Sequence, residues 1–265
     1  MRRLAPLAAR SRLARLALAA SVLVAGCSRR AAPAPVDPPA SATPSTSPLE
    51  GAPGEAPASG VYRGRVIAAP MSYAGADWLD RPEREETEQP DAVIDALRVA
   101  PGSTVADIGA GTGYFTVRLA RRVGPRGRVI ATDLQPEMLA ILTRHVRDAG
   151  LTNVTPVVCT ERDAKLPPAS LDLALMVDVY HELARPAETL AEVRRALKKD
   201  GRLALVEYRG EDPAVAIKPE HKMTLAQVRA EVEGIAMESD GGGAFRFVAS
   251  LELLRDQRVI VFAPR

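Results

Sequence analysis

The segment from residue 105 to residue 115, VADIGAGTGYF, constrains the fold of this chain more than any other. Its apolar start suits a buried parallel strand, and Gly109, Gly111 and Gly113 permit a tight turn that side chains would obstruct. From Tyr114 onward, apolar residues recur at helical spacing. A strand, a glycine turn and a helix in this order hold a ligand at the carboxyl end of the strand. The segment therefore predicts a nucleotide-type cofactor site.

The acid before the glycines narrows the choice of cofactor. Asp107 stands two residues before Gly109, where a carboxylate would repel a pyrophosphate and would accept hydrogen bonds from a cationic amino group. The G-x-G-x-G spacing also departs from the G-x-G-x-x-G pattern of dinucleotide-binding turns. The predicted ligand is an adenosine that lacks phosphates and carries an ammonium group. A nicotinamide-dependent oxidoreductase stays open as a disfavoured alternative.

Further strands supply the other groups that such a ligand needs. The predicted second strand, 128–132, ends at Asp133, where a carboxylate suits the two ribose hydroxyls. The third, 154–158, runs into a polar turn from which Glu161 or Asp163 can reach an adenine amino group. The apolar run 171–177 has the character of a central strand covered on both faces. Capping is the alternative role for Asp107 and Asp133, but the joint spacing of acids and glycines favours a cofactor site.

These motifs resemble the class I S-adenosylmethionine-dependent methyltransferases, in particular the small single-domain type that carries D-x-G-x-G-x-G. The resemblance implies an α/β fold: a Rossmann-like three-layer sandwich whose seven-stranded, mostly parallel sheet has an antiparallel last strand. It also implies methyl transfer, with S-adenosylmethionine as cofactor. Asp107 would serve the methionine moiety, Asp133 the ribose, and Asp163 the adenine, with Glu161 as its rival. The implied cofactor-binding residues are Asp107, Gly109, Ala110, Gly111, Gly113, Asp133, Leu134 and Asp163.

The residues after the fourth strand are candidates for catalysis. The topology brings Tyr180 and His181 beside the cofactor's methyl group, where either can deprotonate or orient an acceptor atom. Capping or packing is the alternative role for His181. A polar segment at 71–88 would cover the cofactor as a lid in similar methyltransferases, with Tyr73 or Arg84 near the methionine carboxylate or the substrate.

The N-terminus predicts export. Residues 1–15 carry five arginines and no acid, residues 16–25 are apolar but too short to span a bilayer, and LVAGC follows. This pattern resembles a bacterial lipoprotein signal at 1–26, with Cys27 acylated and the protein anchored at the periplasmic side of the cell envelope. An accidental match in an arginine-rich leader is the alternative. A true start at Met71 would leave the protein in the cytoplasm with, on this prediction, its domain complete.

Composition divides the rest of the chain. Residues 27–60 are rich in Pro, Ala and Ser and predict a disordered tether, and residues 61–265 predict the methyltransferase domain. Loss of the five leader arginines would leave 30 basic against 33 acidic residues, so a net charge of +2 becomes −3. That balance predicts no nucleic-acid partner.

Few residue clusters indicate other chemistry. Of the two cysteines, Cys159 follows a buried-looking strand and is interpreted as core. No His or Cys cluster has metal-ligand spacing, so no metal site is predicted.

Short connections at the carboxyl edge of the sheet favour a small-molecule acceptor over a polymer. Because S-adenosylmethionine is made in the cytoplasm, an exported non-catalytic binding lipoprotein on the same fold stays open. The loop 241–243 receives no role.

Overall fold

The computed structural model describes residues 60–235 and 244–265. The predicted signal peptide 1–26, the anchor residue Cys27, the tether as far as residue 59 and the glycine loop 241–243 all lie outside the described residues. Within the described ranges, none of the helices combines the length and the apolar character that crossing a membrane requires.

A single large sheet forms the middle layer. Its strands run in the order β5-β4-β3-β6-β7-β10-β9, with the short β8 paired beside the end of β7. Every neighbouring pair is parallel except those made by β10, which is antiparallel to both β7 and β9. The predicted Rossmann-like sheet is confirmed, and β8 is an addition to it. The strands are β3 (Thr104–Ile108), β4 (Arg128–Asp133), β5 (Val154–Val158), β6 (Leu171–Val177), β7 (Leu197–Arg209), β8 (Lys222–Met223), β9 (Phe245–Leu251) and β10 (Gln257–Pro264).

Helices cover both faces of the sheet because alternate strand residues point to opposite sides. Val105 of β3 packs in the cluster with helices α3 and α4, whereas the next residue, Ala106, packs in the cluster with α6 and α7. A smaller cluster lies under α5. The helices are α1 (Ala76–Leu79), α2 (Arg84–Thr87), α3 (Pro90–Ala96), α4 (Tyr114–Val123), α5 (Pro136–Asp148), α6 (Pro186–Ala196) and α7 (Leu225–Glu233).

Two helices have boundaries that differ from the prediction, because some of the residues predicted to be helical belong to strands. The amphipathic pattern at 186–199 predicts a helix and the apolar run from Leu203 a strand, but the helix ends at Ala196, because β7 begins at Leu197. The sequence likewise predicts a helix from Met223, but it begins at Leu225, because Met223 pairs in β8 and the Thr224 side chain caps the helix by accepting from the Gln227 N–H.

A hairpin before the predicted lid belongs to the folded unit. It consists of β1 (Gly60–Tyr62) and β2 (Arg65–Ile67). The buried Arg65 guanidinium lies 3.0 Å from the Glu231 carboxylate and donates to the carbonyl of His181 at 2.9 Å. A chain starting at Met71 would lose both contacts and leave the buried Glu231 without its cation, a strongly destabilising change. The prediction that such a chain keeps the complete domain is therefore wrong.

Candidate functional site

The glycine turn brings the backbone of β3 close to its neighbours. The N–H groups of Gly109 and Ala110 both donate to the carbonyl of Thr132, at 2.8 and 2.9 Å, which ties the end of β3 to that of β4. Gly109 has φ of +68°, and a Cβ added there would lie 2.5 Å from Cγ2 of Val179. Only glycine fits this position without strain and collision. The turn leaves an open backbone surface that a cofactor can approach.

Asp133 lies at the centre of this surface and is nearly buried. Its two carboxylate oxygens accept from the backbone N–H groups of Gly111 and Gln135, each at 2.9 Å. Burial raises the pKa of Asp133, and these N–H groups oppose that shift because they stabilise the charged form. The carboxylate thus organises the turn and the start of α5 while still lining a cavity. Capping and cofactor binding are compatible here.

Asp107 is held beneath the turn and is not in the cavity wall. The Thr116 hydroxyl on α4 donates to it at 2.5 Å. Burial raises the pKa of Asp107 to about 6, against the opposing effect of the Thr116 hydrogen bond. A cation placed near this carboxyl would favour its ionised form.

A cavity of about 230 Å³ opens at the carboxyl ends of the central strands. It is lined by four of the predicted cofactor residues: Gly109, Gly111, Asp133 and Leu134. Ala110 and Gly113 are not part of the wall. Of the two rivals for adenine, Glu161 lines the cavity, whereas Asp163 is turned outward and its carboxylate pairs with Lys165 at 2.6 Å. The choice of Asp163 over Glu161 is thus corrected, because the local turn directs its side chain to a lysine.

The predicted lid segment forms one wall of the cavity. Trp78, Leu79 and Arg84 face it, whereas Tyr73 is half exposed and lies outside the wall. The Arg84 guanidinium is held by Glu88 at 2.7 Å. Gln135 at the start of α5 anchors the segment, accepting from the N–H of Tyr73 and donating to the carbonyl of Met71. Of the two predicted lid contacts, Arg84 is therefore in position and Tyr73 is not.

His181 lines the same cavity and is almost fully buried. Its Nδ1 is 2.6 Å from Oε2 of Glu207 and its Nε2 is 3.0 Å from Nδ1 of His221. Burial opposes the charged imidazolium, but the Glu207 carboxylate outweighs it and raises the pKa of His181 to about 9. The Glu207 carboxylate holds the proton on Nδ1, and the predicted catalytic role of His181 stays a prediction.

Tyr180 does not reach the cavity. Its side chain is fully buried and its hydroxyl donates to Glu231 at 3.0 Å, on the side where Arg65 binds the same carboxylate. Burial and the Glu231 charge raise the pKa of Tyr180 well above its ordinary value. The predicted catalytic role of Tyr180 is not supported, since the ring packs into the core and fixes the loop that carries His181.

One buried residue of this region, Glu207, was missed by sequence reasoning. Glu207 is a fully buried carboxylate inside the apolar strand β7, and that charge within an apolar run was the available signal. Asp178 has φ of +54°, and its carboxylate accepts from Nε2 of Gln257. Burial, together with nearby Glu88 and Glu207, raises the pKa of Asp178 to about 7. His221 belongs to the polar stretch 209–222, whose charged residues predict part of a substrate pocket, but its contact with His181, 40 residues away along the chain, has no sequence signal.

Comparison with known proteins agrees with this geometry. A family model described as a methyltransferase domain matches residues 105–201. A ubiquinone/menaquinone biosynthesis C-methyltransferase UbiE from Ralstonia pickettii is 32% identical over 110 residues, covering 42% of this chain and 45% of the relative. The UbiE of Vibrio vulnificus is 28% identical over 171 residues, covering 63% and 64%. The chain thus spans less than two thirds of the length of these curated relatives.

Solved structures agree on the fold. The crystal structure of a SAM-dependent methyltransferase from Aquifex aeolicus superposes with a TM-score of 0.67 at 26% identity, covering 74% of this chain and all of that one. A TehB-like methyltransferase from Corynebacterium glutamicum, at 18% identity and a TM-score of 0.54, has the same fold. The close backbone approach at Gly109 and the carboxylate of Asp133 in the cavity wall fit an adenosine cofactor. Residues 105–201 therefore match a methyltransferase domain, and the fold is that of an S-adenosylmethionine-dependent methyltransferase of known structure.

Proposed function

We propose that this protein transfers a methyl group from S-adenosylmethionine to a small acceptor bound beside His181. One observation carries the proposal: a single cavity is lined both by Gly109, Gly111 and Asp133 and by His181 and His221. When bound, S-adenosylmethionine supplies a methyl group on a sulfonium that is ready for in-line displacement. The protein's task is then alignment of the two reactants and exclusion of water.

The cofactor side has residues for each part of the ligand. Asp133 would hold the ribose hydroxyls, Glu161 the adenine amino group and Leu134 the adenine face. Asp107 would stabilise the methionine ammonium from beneath the turn. The lid side chains Trp78 and Leu79 would exclude water, since both line the cavity and Leu79 lies against Gly111.

The acceptor side supports a compact substrate with an apolar body. Val179, Leu183 and Ile217 line the cavity around the polar group formed by His181 and His221. Such a wall buries an apolar ring or chain, while the polar group orients one oxygen or nitrogen. Because two similar relatives are named as C-methyltransferases of quinone biosynthesis, we propose carbon as the first acceptor atom to test.

Calorimetry on the full chain tests the cofactor. We expect S-adenosylmethionine to bind and NADH not to compete, and we expect Asp133→Ala to weaken binding while the outward-facing Asp163→Ala does not. A folded protein that binds no S-adenosylmethionine would contradict the proposal and favour a non-catalytic binding protein. Release of S-adenosylhomocysteine, followed over a panel of phenols, quinols, amines and thiols, then identifies the acceptor class.

We also propose that the chain is anchored in the cell envelope through an acylated Cys27. The arginine-rich start, the short apolar stretch and the LVAGC sequence support this location. Labelled palmitate fed to cells expressing the full chain should appear in the protein and should be absent from the Cys27→Ser variant. Equal labelling of both chains, or of neither, would contradict the anchor.

A further inference from the structure

Three side chains from two separate loops converge at the acceptor end of the cavity. His181 and Glu182 lie in the 3-10 turn Tyr180–Glu182 after β6, and His221 lies in the turn Pro219–His221 before β8. One ligand atom of each residue lies within 4.8 Å of the corresponding atoms of the other two. Nε2 of His181 is 3.0 Å from Nδ1 of His221 and 3.9 Å from Oε1 of Glu182.

These separations are those of atoms that share one metal ion. Metal–nitrogen and metal–oxygen bonds of about 2.1 Å in a tetrahedral site hold neighbouring ligand atoms about 3.4 Å apart, between the two observed distances. The two imidazole rings meet edge to face, with an interplanar angle of 75° and centroids 5.0 Å apart. The rings therefore meet without stacking, with the two nitrogens adjacent.

The surroundings of His181 match those of a metal-binding histidine. Its second nitrogen, Nδ1, is 2.6 Å from the fully buried Glu207 carboxylate, and the other Glu207 oxygen accepts from the N–H of Tyr180. Metal-bound histidines typically donate their other ring N–H to a carboxylate in this way, which fixes the tautomer and the ring orientation. Glu207 therefore sets Nε2 of His181 toward His221 and the cavity.

The local charge also favours a cation. The carboxylates of Asp178, Glu182 and Glu207 gather around His181. The buried guanidinium groups nearest to this region already bind other acids, since Arg65 pairs with Glu231 and Arg84 with Glu88. A bound divalent ion would replace the protons that the crowded Asp178 and Glu182 carboxyl groups hold, since burial and their like charges raise the pKa of both groups.

We propose that His181 Nε2, His221 Nδ1 and the Glu182 carboxylate bind a divalent first-row transition-metal ion such as zinc. Two imidazoles and one carboxylate suit this class of ion better than magnesium or calcium, which prefer oxygen ligands. All three residues line the cavity, so the remaining coordination positions face the acceptor. The ion would bind and orient an oxygen or nitrogen of the acceptor, a role that rests on the proposed methyl transfer.

Titration of the metal-free full chain with Co²⁺, followed by visible absorption, tests the site. We expect the wild-type chain to take up about one equivalent with the d–d bands of a nitrogen and oxygen site, and Zn²⁺ to displace the Co²⁺. His221→Ala should abolish these bands and Glu182→Gln should weaken binding at least tenfold. The third histidine of the chain, His145, lies on α5 and provides the matched control His145→Ala, which should behave as wild type.

Each alternative outcome overturns the metal site. No Co²⁺ bands in the wild type, equal bands in His221→Ala, or a thiolate-to-cobalt charge-transfer band would each contradict it. Because His221 and Glu182 are partly exposed, we expect these variants to fold, and S-adenosylmethionine binding measured on the same samples checks this. Cofactor binding without metal binding would refute the metal site alone, whereas metal binding without cofactor binding would refute the proposed function.

Discussion

The two ends of the cavity are built in different ways. The cofactor half, consisting of the turn 109–113 with Asp107 and Asp133, is made mainly of backbone groups from one strand–turn–helix unit and the neighbouring strand tip. The acceptor half, consisting of 178–182 with Glu207 and His221, is made of side chains from three separate segments. Backbone recognition depends on local conformation, whereas the acceptor half depends on how distant elements pack.

The largest effect should come from the backbone of the cofactor half. In Gly109→Ala the new Cβ meets Val179 at 2.5 Å, whereas in Gly150→Ala, at the same φ of +68°, it meets nothing within 4 Å. Both variants adopt a disfavoured backbone region, but only the first adds a collision. We expect Gly109→Ala to lower the free energy of unfolding by about 2 kcal/mol more than Gly150→Ala does. Urea denaturation of the two variants measures this difference.

Cofactor affinity gives a second comparison of the two glycine variants. Gly109→Ala should weaken S-adenosylmethionine binding roughly 100-fold, since its shifted turn no longer fits the ligand, and Gly150→Ala should leave it unchanged. Equal losses in both variants would show that strain alone, and not close approach, decides the role of Gly109.

The next effect should be confined to the acceptor half. Glu207→Gln removes the carboxylate that orients His181, and we expect Co²⁺ affinity to fall about 10- to 100-fold. The affinity for S-adenosylmethionine should change less than about twofold, because Glu207 is not in the cavity wall. Asp172→Asn is the matched control, since this partly exposed carboxylate pairs with Lys198 at the other end of β6. Unaltered Co²⁺ affinity in Glu207→Gln would refute the orienting role.

A smaller effect should follow pH in the cofactor half. Burial raises the pKa of Asp107 to about 6 from an ordinary 3.8, so the native state keeps this proton between about pH 4 and 6. The contribution of Asp107 to the free energy of unfolding is therefore greatest below pH 4. It falls by about 3 kcal/mol in total as the pH rises through 6. An ammonium binds the ionised form, so S-adenosylmethionine affinity should rise about tenfold from pH 5 to pH 7.

Calorimetry at these pH values, with Asp107→Asn for comparison, measures the effect. The variant should bind the cofactor weakly and with a flat pH profile over this range. A rise that persists in Asp107→Asn would assign the pH dependence to another group.

The smallest effect should separate the two rivals for adenine. Glu161→Ala should weaken S-adenosylmethionine binding about 3- to 10-fold, the worth of one hydrogen bond. Asp163→Ala should leave binding unchanged, because its side chain pairs with Lys165 outside the cavity. The reverse order of the two variants in calorimetry would restore the original assignment.

Much of the cofactor half was predictable because its signals are local. The apolar strand, the three glycines and an acid at the next strand tip identify a turn whose conformation few other residues can adopt. The error at Asp163 has the same origin: two acids two residues apart differ only in side-chain direction, which the bridge between Thr160 and Asp163 and the lysine at 165 determine.

The contacts of the N-terminal hairpin could not be predicted from composition. Residues 60–67 follow a stretch with hardly any large apolar side chains, and nothing local indicates that Arg65 reaches Glu231, 166 positions later. The Glu231 carboxylate of this ion pair also accepts a hydrogen bond from the Tyr180 hydroxyl. This contact holds in the core a tyrosine that was predicted to be catalytic. Long-range pairing of buried charges has no periodic signature in a sequence.

The sequence by itself determined the sheet, the glycine turn and the kind of cofactor, because strand burial and left-handed turns restrict residue choice position by position. Only the tertiary structure decided that His181 meets Glu207 and His221, that Tyr180 is withdrawn into the core, and that Glu161 rather than Asp163 faces the cavity. The physical reason is that side-chain convergence depends on how strands and loops pack across the sheet. That packing joins residues whose separation along the chain carries no information about their distance in space.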